Sequence, residues 1–112
     1  MNKIVFNRQR LLETINKGLQ NEYTKYLSET EIILQNWRKE AKKSNEVFDE
    51  MFKQIFDSKK QIMHKYSHFK TARYIPVIAE QYSAGYLTSE DLIEYSDELK
   101  ETIIKLAVSF AE

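Results

Sequence analysis

The stretch Leu19–Ile75, LQNEYTKYLSETEIILQNWRKEAKKSNEVFDEMFKQIFDSKKQIMHKYSHFKTARYI, runs for fifty-seven residues without a glycine or a proline. An interior Gly costs a helix about 1 kcal/mol and a Pro about 3 kcal/mol, so nothing local stops a helix here. Its apolar residues return at spacings of three and four, the period of a helix face. Upstream, Asn7 has Phe6 before it and Leu11 four positions after, the pattern of an N-cap with a hydrophobic staple. A first helix opening near Arg8 then carries Leu12, Ile15, Leu19, Tyr23, Tyr26, Ile33, Trp37 and Ala41 on one stripe, with Thr30 in the polar slot. The phase passes through Gly18 unbroken, which predicts a helix that crosses this glycine.

The same phase continues through Ser44 to Phe48, Met51, Phe52, Ile55, Ser58, Ile62, Tyr66 and Phe69, a seam expected to be core. A single helix from Arg8 to Lys70 would be about 95 Å long at ~1.5 Å per residue, far beyond a domain of this size. The chain is therefore expected to fold back. Lys42-Lys43-Ser44-Asn45 is the best place, because bases suit a helix C-terminus and Ser44 or Asn45 can cap the next helix. Ser58 and Gln61 have the spacing of a capping box, which predicts a kink at Asp57-Ser58.

Pro76 disfavours helical geometry at Ile75, so the long segment must end by about Tyr74. Pro76 then suits the first residue of a short helix with Ile75, Ile78, Ala79 and Tyr82 on one face, closed by Gly85. Thr88 and Asp91 form a capping-box pair inside a Leu87/Leu92 staple, which predicts a last helix starting at Thr88 with Leu92, Ser96, Leu99, Ile103, Leu106 and Phe110 on its seam. No segment alternates as a strand does. The expected fold is all-α: one domain over 1–112, a small bundle of four to five helices, with a long antiparallel hairpin and a shorter C-terminal pair.

Composition supports a folded chain, since 30% charged and 42% hydrophobic residues lie well away from the disordered regime. The absence of cysteine excludes disulfides and thiolate metal sites. The opening Met-Asn-Lys-Ile-Val-Phe is too short an apolar run for a signal peptide, and no span of ~18 apolar residues occurs, so a cytoplasmic location without membrane insertion is expected. Richness in Lys, Asn, Ile, Tyr and Glu, with little Gly, Pro or Ala, is the composition of an AT-rich bacterial or phage genome.

Seventeen acidic and seventeen basic residues cancel, yet residues 1–79 carry a net +6 and residues 80–112 a net −6. Such poles mean either a basic nucleic-acid face or helices that pack with complementary charge, and the second is favoured in a small helical domain. Between Asp57 and Glu80 there is no acidic residue, and Lys59, Lys60, Lys65, Lys70 and Arg73 fall in that interval. They form the candidate nucleic-acid surface.

His64 and His68 stand one helical turn apart, a spacing that can hold a metal. No cysteine or carboxylate partner accompanies them and lysines surround them, so no metal and no cofactor is expected. No serine sits in a glycine-flanked elbow, no arginine precedes either histidine at the spacing of small helical nucleases, and no glycine cluster could cradle phosphate. The chain is expected not to be an enzyme. The leading expectation is a helical interaction protein of inhibitor, immunity or assembly-factor type that occupies a surface on a larger protein. Tyr23, Tyr26, Trp37 and Tyr86 are its candidate contacts, Tyr86 because it follows Gly85 in a turn and should project outward. The alternatives are a nucleic-acid-binding regulator and a self-associating coiled coil, in which the seam pairs between two copies.

Overall fold

The computed structural model describes residues 7–40, 42–67 and 71–111, and those residues are all-α, with no strand among them. Four α-helices run in order: α1 (Arg8–Glu40), α2 (Ser44–Tyr66), α3 (Tyr74–Ser83) and α4 (Asp97–Ala111). Short 3₁₀ turns at Thr71–Arg73 and Ser89–Leu92 precede α3 and α4. Among the expectations above, those on Phe6, Ala41, His68, Phe69 and Lys70 lie outside the described residues.

The chain forms two compact units, one from the start of α1 with α3 and α4, the other from Tyr23 to the end of α2. In the first unit, Asn7 caps α1 as expected, its Oδ1 accepting the Gln9 N–H at 2.9 Å and the Arg10 N–H at 3.4 Å. In this part of α1 the buried residues are Leu11, Ile15, Gly18 and Glu22, so of the expected stripe Ile15 is buried while Leu11, Gly18 and Glu22 take the inward places of Leu12, Leu19 and Tyr23. Leu11 and Ile15 are buried in this unit along with Val77, Ile78 and Ala79 of α3 and Leu99 and Ile103 of α4.

Helix α1 does cross Gly18, and the reason for the glycine lies opposite it. A Cβ there would stand 2.5 Å from Cδ of Gln81, whose buried amide donates to the Ile15 carbonyl at 2.9 Å. Two ion pairs, Lys17 with Asp91 and Arg10 with Glu94, join the basic start of the chain to its acidic end. The charge poles of the sequence are thus partly spent on packing within this unit.

Pro76 is the third residue of α3, where its missing N–H would have no intrahelical acceptor in any case. Gly85 closes the helix with φ +85°: the Gly85 N–H bonds to the Tyr82 carbonyl at 3.1 Å and the Tyr86 N–H to the Gln81 carbonyl at 2.9 Å. That paired pattern is a Schellman motif, which turns the residue after the glycine back toward the helix. Tyr86 is accordingly buried at 8% exposure, and its carbonyl accepts from the Asn21 amide at 2.7 Å. The expectation that Tyr86 projects outward is therefore wrong.

The last helix also starts later than its sequence signal. The Thr88 N–H does donate to the Asp91 carboxylate at 2.7 Å, but this box opens only the Ser89–Leu92 turn. Asp91 also holds Lys17, and Tyr95 leaves the helical path to bond Thr14 and the Arg10 carbonyl. Helix α4 begins at Asp97, with the Ser96 hydroxyl accepting the Leu99 N–H at 3.2 Å.

In the second unit the chain reverses at Lys42-Lys43. Arg38 and Lys39 occupy the last turn of α1, and Glu46 the first turn of α2, as the helix dipole favours. The cap of α2 is Lys43, not Ser44 or Asn45: its carbonyl accepts from Glu46 and Val47, and no side chain caps the helix. Tyr26 of α1 donates to Gln61 of α2 at 2.8 Å, and Gln54 of α2 donates to Glu29 of α1 at 2.7 Å. Rising numbers on one helix meet falling numbers on the other, so the hairpin is antiparallel.

Helix α2 runs unbroken through Asp57-Ser58, and the expected capping box does not form. The Ser58 hydroxyl donates instead to the Gln54 carbonyl one turn back, at 2.7 Å, and the Gln61 side chain is engaged by Tyr26.

Candidate functional site

The residues of α2 fall into three adjacent rows, each offset by one position. Val47, Met51, Gln54, Ser58 and Ile62 face α1 and are buried or half-buried. Phe48, Phe52, Ile55 and Met63 lie one position on and are 73%, 66%, 51% and 59% exposed, with Phe56 at 59% beside them. The expectation that Phe48, Phe52 and Ile55 are core is overturned. Both rows recur at spacings of three and four, so periodicity fits either, and packing selects the one with the smaller side chains. Ser58 and Thr30 are both buried, and each hydroxyl bonds the carbonyl four residues earlier, so neither needs a partner across the interface. Phenylalanines at those positions would hold the helices apart.

The exposed row is ordered. The Phe52 and Phe56 rings stack with centroids 6.1 Å apart and planes 22° apart. Phe52, Ile55, Phe56 and Met63 line a shallow recess flanked by the stems of Lys59 and Lys60. On the side toward α1 the apolar surface continues into a groove formed by Tyr23, Tyr26 and Leu27 with Ile55 and Ile62. Leu27 is 67% exposed there. A protein surface seldom keeps so many large apolar side chains together in water without a use.

The third row, Glu46, Asp49, Lys53, Asp57, Lys60 and His64, is exposed throughout. None of the six makes an ion pair with another described residue.

The tyrosines expected as contacts divide. Tyr23 is exposed, Tyr26 is half-buried with its hydroxyl on Gln61, and both border the groove. Trp37 is half-buried near the end of α1, its ring 5.7 Å from the Arg38 guanidinium carbon, and Tyr86 belongs to the core of the other unit. What the sequence reading missed is the exposed row itself.

The basic positions divide as well. Lys59 and Lys60 are exposed on α2 and Lys65 is half-buried, while Arg73 ends the 3₁₀ turn of the other unit. Asp57 lies beside Lys60 and His64 in one recess, so the acid-free interval of the sequence is not acid-free on the helix surface. No group of three or more His, Cys, Asp or Glu residues is placed to hold a metal among the described residues, and His64 is exposed. No helix among them is long and apolar enough to cross a membrane.

Two groups have displaced protonation equilibria, and both belong to the first unit's scaffold. Burial alone would raise the Asp91 carboxyl, but the Lys17 ammonium with the Thr88 N–H and hydroxyl outweighs it and holds the group below its ordinary 3.8. Burial raises the Tyr95 hydroxyl above its ordinary 10.0, against the opposing hydrogen bond from Thr14. Asp91 borders a polar surface recess together with Arg10, Lys17, Glu90 and Glu94. Comparison of the chain with models of known protein families, with curated proteins and with solved structures finds no match.

Proposed function

We propose that this chain is a non-enzymatic helical interaction protein that acts by seating a protein partner on the outer apolar face of its hairpin. The supporting observation is the exposure of Phe48, Phe52, Ile55, Phe56 and Met63 on one side of α2. Exposed aromatic and methionine side chains at helical spacing are what a protein partner covers when helices dock face to face. Tyr23 and Tyr26 border the same surface and extend it onto α1. The nucleic-acid reading has less support, because Lys59 and Lys60 stand among apolar side chains and Asp57 interrupts their field.

The test is a photo-crosslinking residue in place of Phe56, with a control in place of Glu101 on the exposed side of α4. In cells of the native host, a covalent adduct with protein is expected at position 56 and not at 101. Absence of an adduct at 56, with the folded chain present, overturns the reading.

A further inference from the structure

We infer that the occupant of the α2 face is a second copy of this chain, docked with its own α2 antiparallel to the first. The inference rests on the proposal that this face binds protein, and names the partner. The outward charge row carries it. In order the row reads Glu46, Asp49, Lys53, Asp57, Lys60, His64, with Asp49, Lys53, Asp57 and His64 each one position after Phe48, Phe52, Phe56 and Met63 of the apolar row.

Turned end for end about Ile55, this row meets its own opposite. Glu46 falls beside His64 of the second copy, Lys53 beside Asp57, and Asp49 within one residue of Lys60, about 1.5 Å along the helix, and the two-fold repeats each pairing. A two-fold axis across two antiparallel helices keeps the same flank of both helices together, so these groups meet along one edge. The same axis sets Ile55 against Ile55 of the other copy and leaves Phe48 within one residue of Met63, about 1.5 Å along the helix.

Parallel pairing about a two-fold would instead send the two charge rows to opposite flanks of the pair, where they could not meet and the opposite signs would go unused. A partner of strong net charge is not specified either, since the row mixes both signs. That the six groups make no ion pair with another described residue leaves them available for this use.

The area is sufficient. Five large apolar side chains at these exposures offer on the order of 600 Å² per chain. Two copies then bury about 1,200 Å² before the Lys59 and Lys60 stems are counted, the lower bound of stable specific interfaces.

The experiment uses the whole chain, whose lack of cysteine lets single cysteines be placed cleanly. Sedimentation is expected to give twice the 13.4 kDa chain mass at high concentration. On mild oxidation, Phe48→Cys and Met63→Cys chains mixed together should give the mixed disulfide in excess of either homodimer. Lys60→Asp should weaken association about tenfold, because the symmetric interface loses each pair twice, and adding Asp49→Lys to it should restore association.

Homodisulfides in excess at both positions overturn the antiparallel register. A single-chain mass at every concentration, together with a Phe56-position adduct to a different protein, overturns self-pairing and leaves the docking reading standing. A single-chain mass with no adduct at all removes both.

Discussion

A methyl group added at Gly18 sets two effects against each other. Helix propensity favours Ala over Gly by about 1 kcal/mol in a helix interior. Against it, the new Cβ would stand 2.5 Å from a Gln81 amide that is buried and bonded to the Ile15 carbonyl. Moving that amide breaks a buried hydrogen bond, at a cost of about 1–3 kcal/mol, and adds overpacking of similar size. Gly18→Ala should therefore destabilise the protein by about 1–3 kcal/mol net, read by urea unfolding. Gly18→Ala with Gln81→Ala should be less destabilised than the two separate losses summed, because each removes half of one clash. A stabilised Gly18→Ala would show that Gln81 does not lie on the glycine.

Asp91 gives a second residue-scale outcome, with its sign set by the lowered carboxyl. Its contribution is present above the unfolded-state carboxyl range near 3.8 and is lost as pH falls through the lower folded value. Asp91→Asn should thus flatten the acid limb of the stability-against-pH curve and leave the alkaline limb unchanged. Tyr95 acts at the other end: its raised hydroxyl contributes below pH 10.0, and that contribution is lost as pH rises through the higher folded value. Tyr95→Phe should flatten the alkaline limb instead.

At the scale of elements, α2 is where sequence and structure part. The Asn7 cap, the reversal at Lys42-Lys43 and the Gly85 stop were legible because each is local chemistry: a side-chain acceptor, a helix end, a positive φ. The direction in which α2 faces was not. Phe48, Phe52 and Ile55 keep helical spacing with Met51, Ser58 and Ile62, so the sequence reads them onto one seam, of which only Met51, Ser58 and Ile62 turn inward. The choice lies with α1, where Thr30 is buried as Ser58 is, so the two small hydroxyl residues take the inward places. Tyr86 was missed for a related reason, since a Schellman turn aims the side chain inward and the glycine signal does not state that direction. Ile62→Ala should cost about 2–4 kcal/mol as a buried large-to-small change, read by thermal or urea unfolding. Loss below 0.5 kcal/mol would place Ile62 outside the hairpin.

For the whole molecule the fold class and the candidate site differ in how they were encoded. An all-α chain follows from helical periodicity and the near absence of glycine and proline, which every segment repeats. The docking face follows from which row is left over after packing, and leftover surface has no local signal. The central claim is that the largest apolar row of α2 lies outside the folded chain. Phe52→Glu with Phe56→Glu tests it directly by far-UV circular dichroism and urea unfolding, at a concentration where the parent sediments as one chain. The account expects unchanged helicity and a stability within about 1 kcal/mol of the parent, as surface substitutions give. A loss of the several kcal/mol that follows removal of core phenylalanines, or an unfolded double variant, would contradict it.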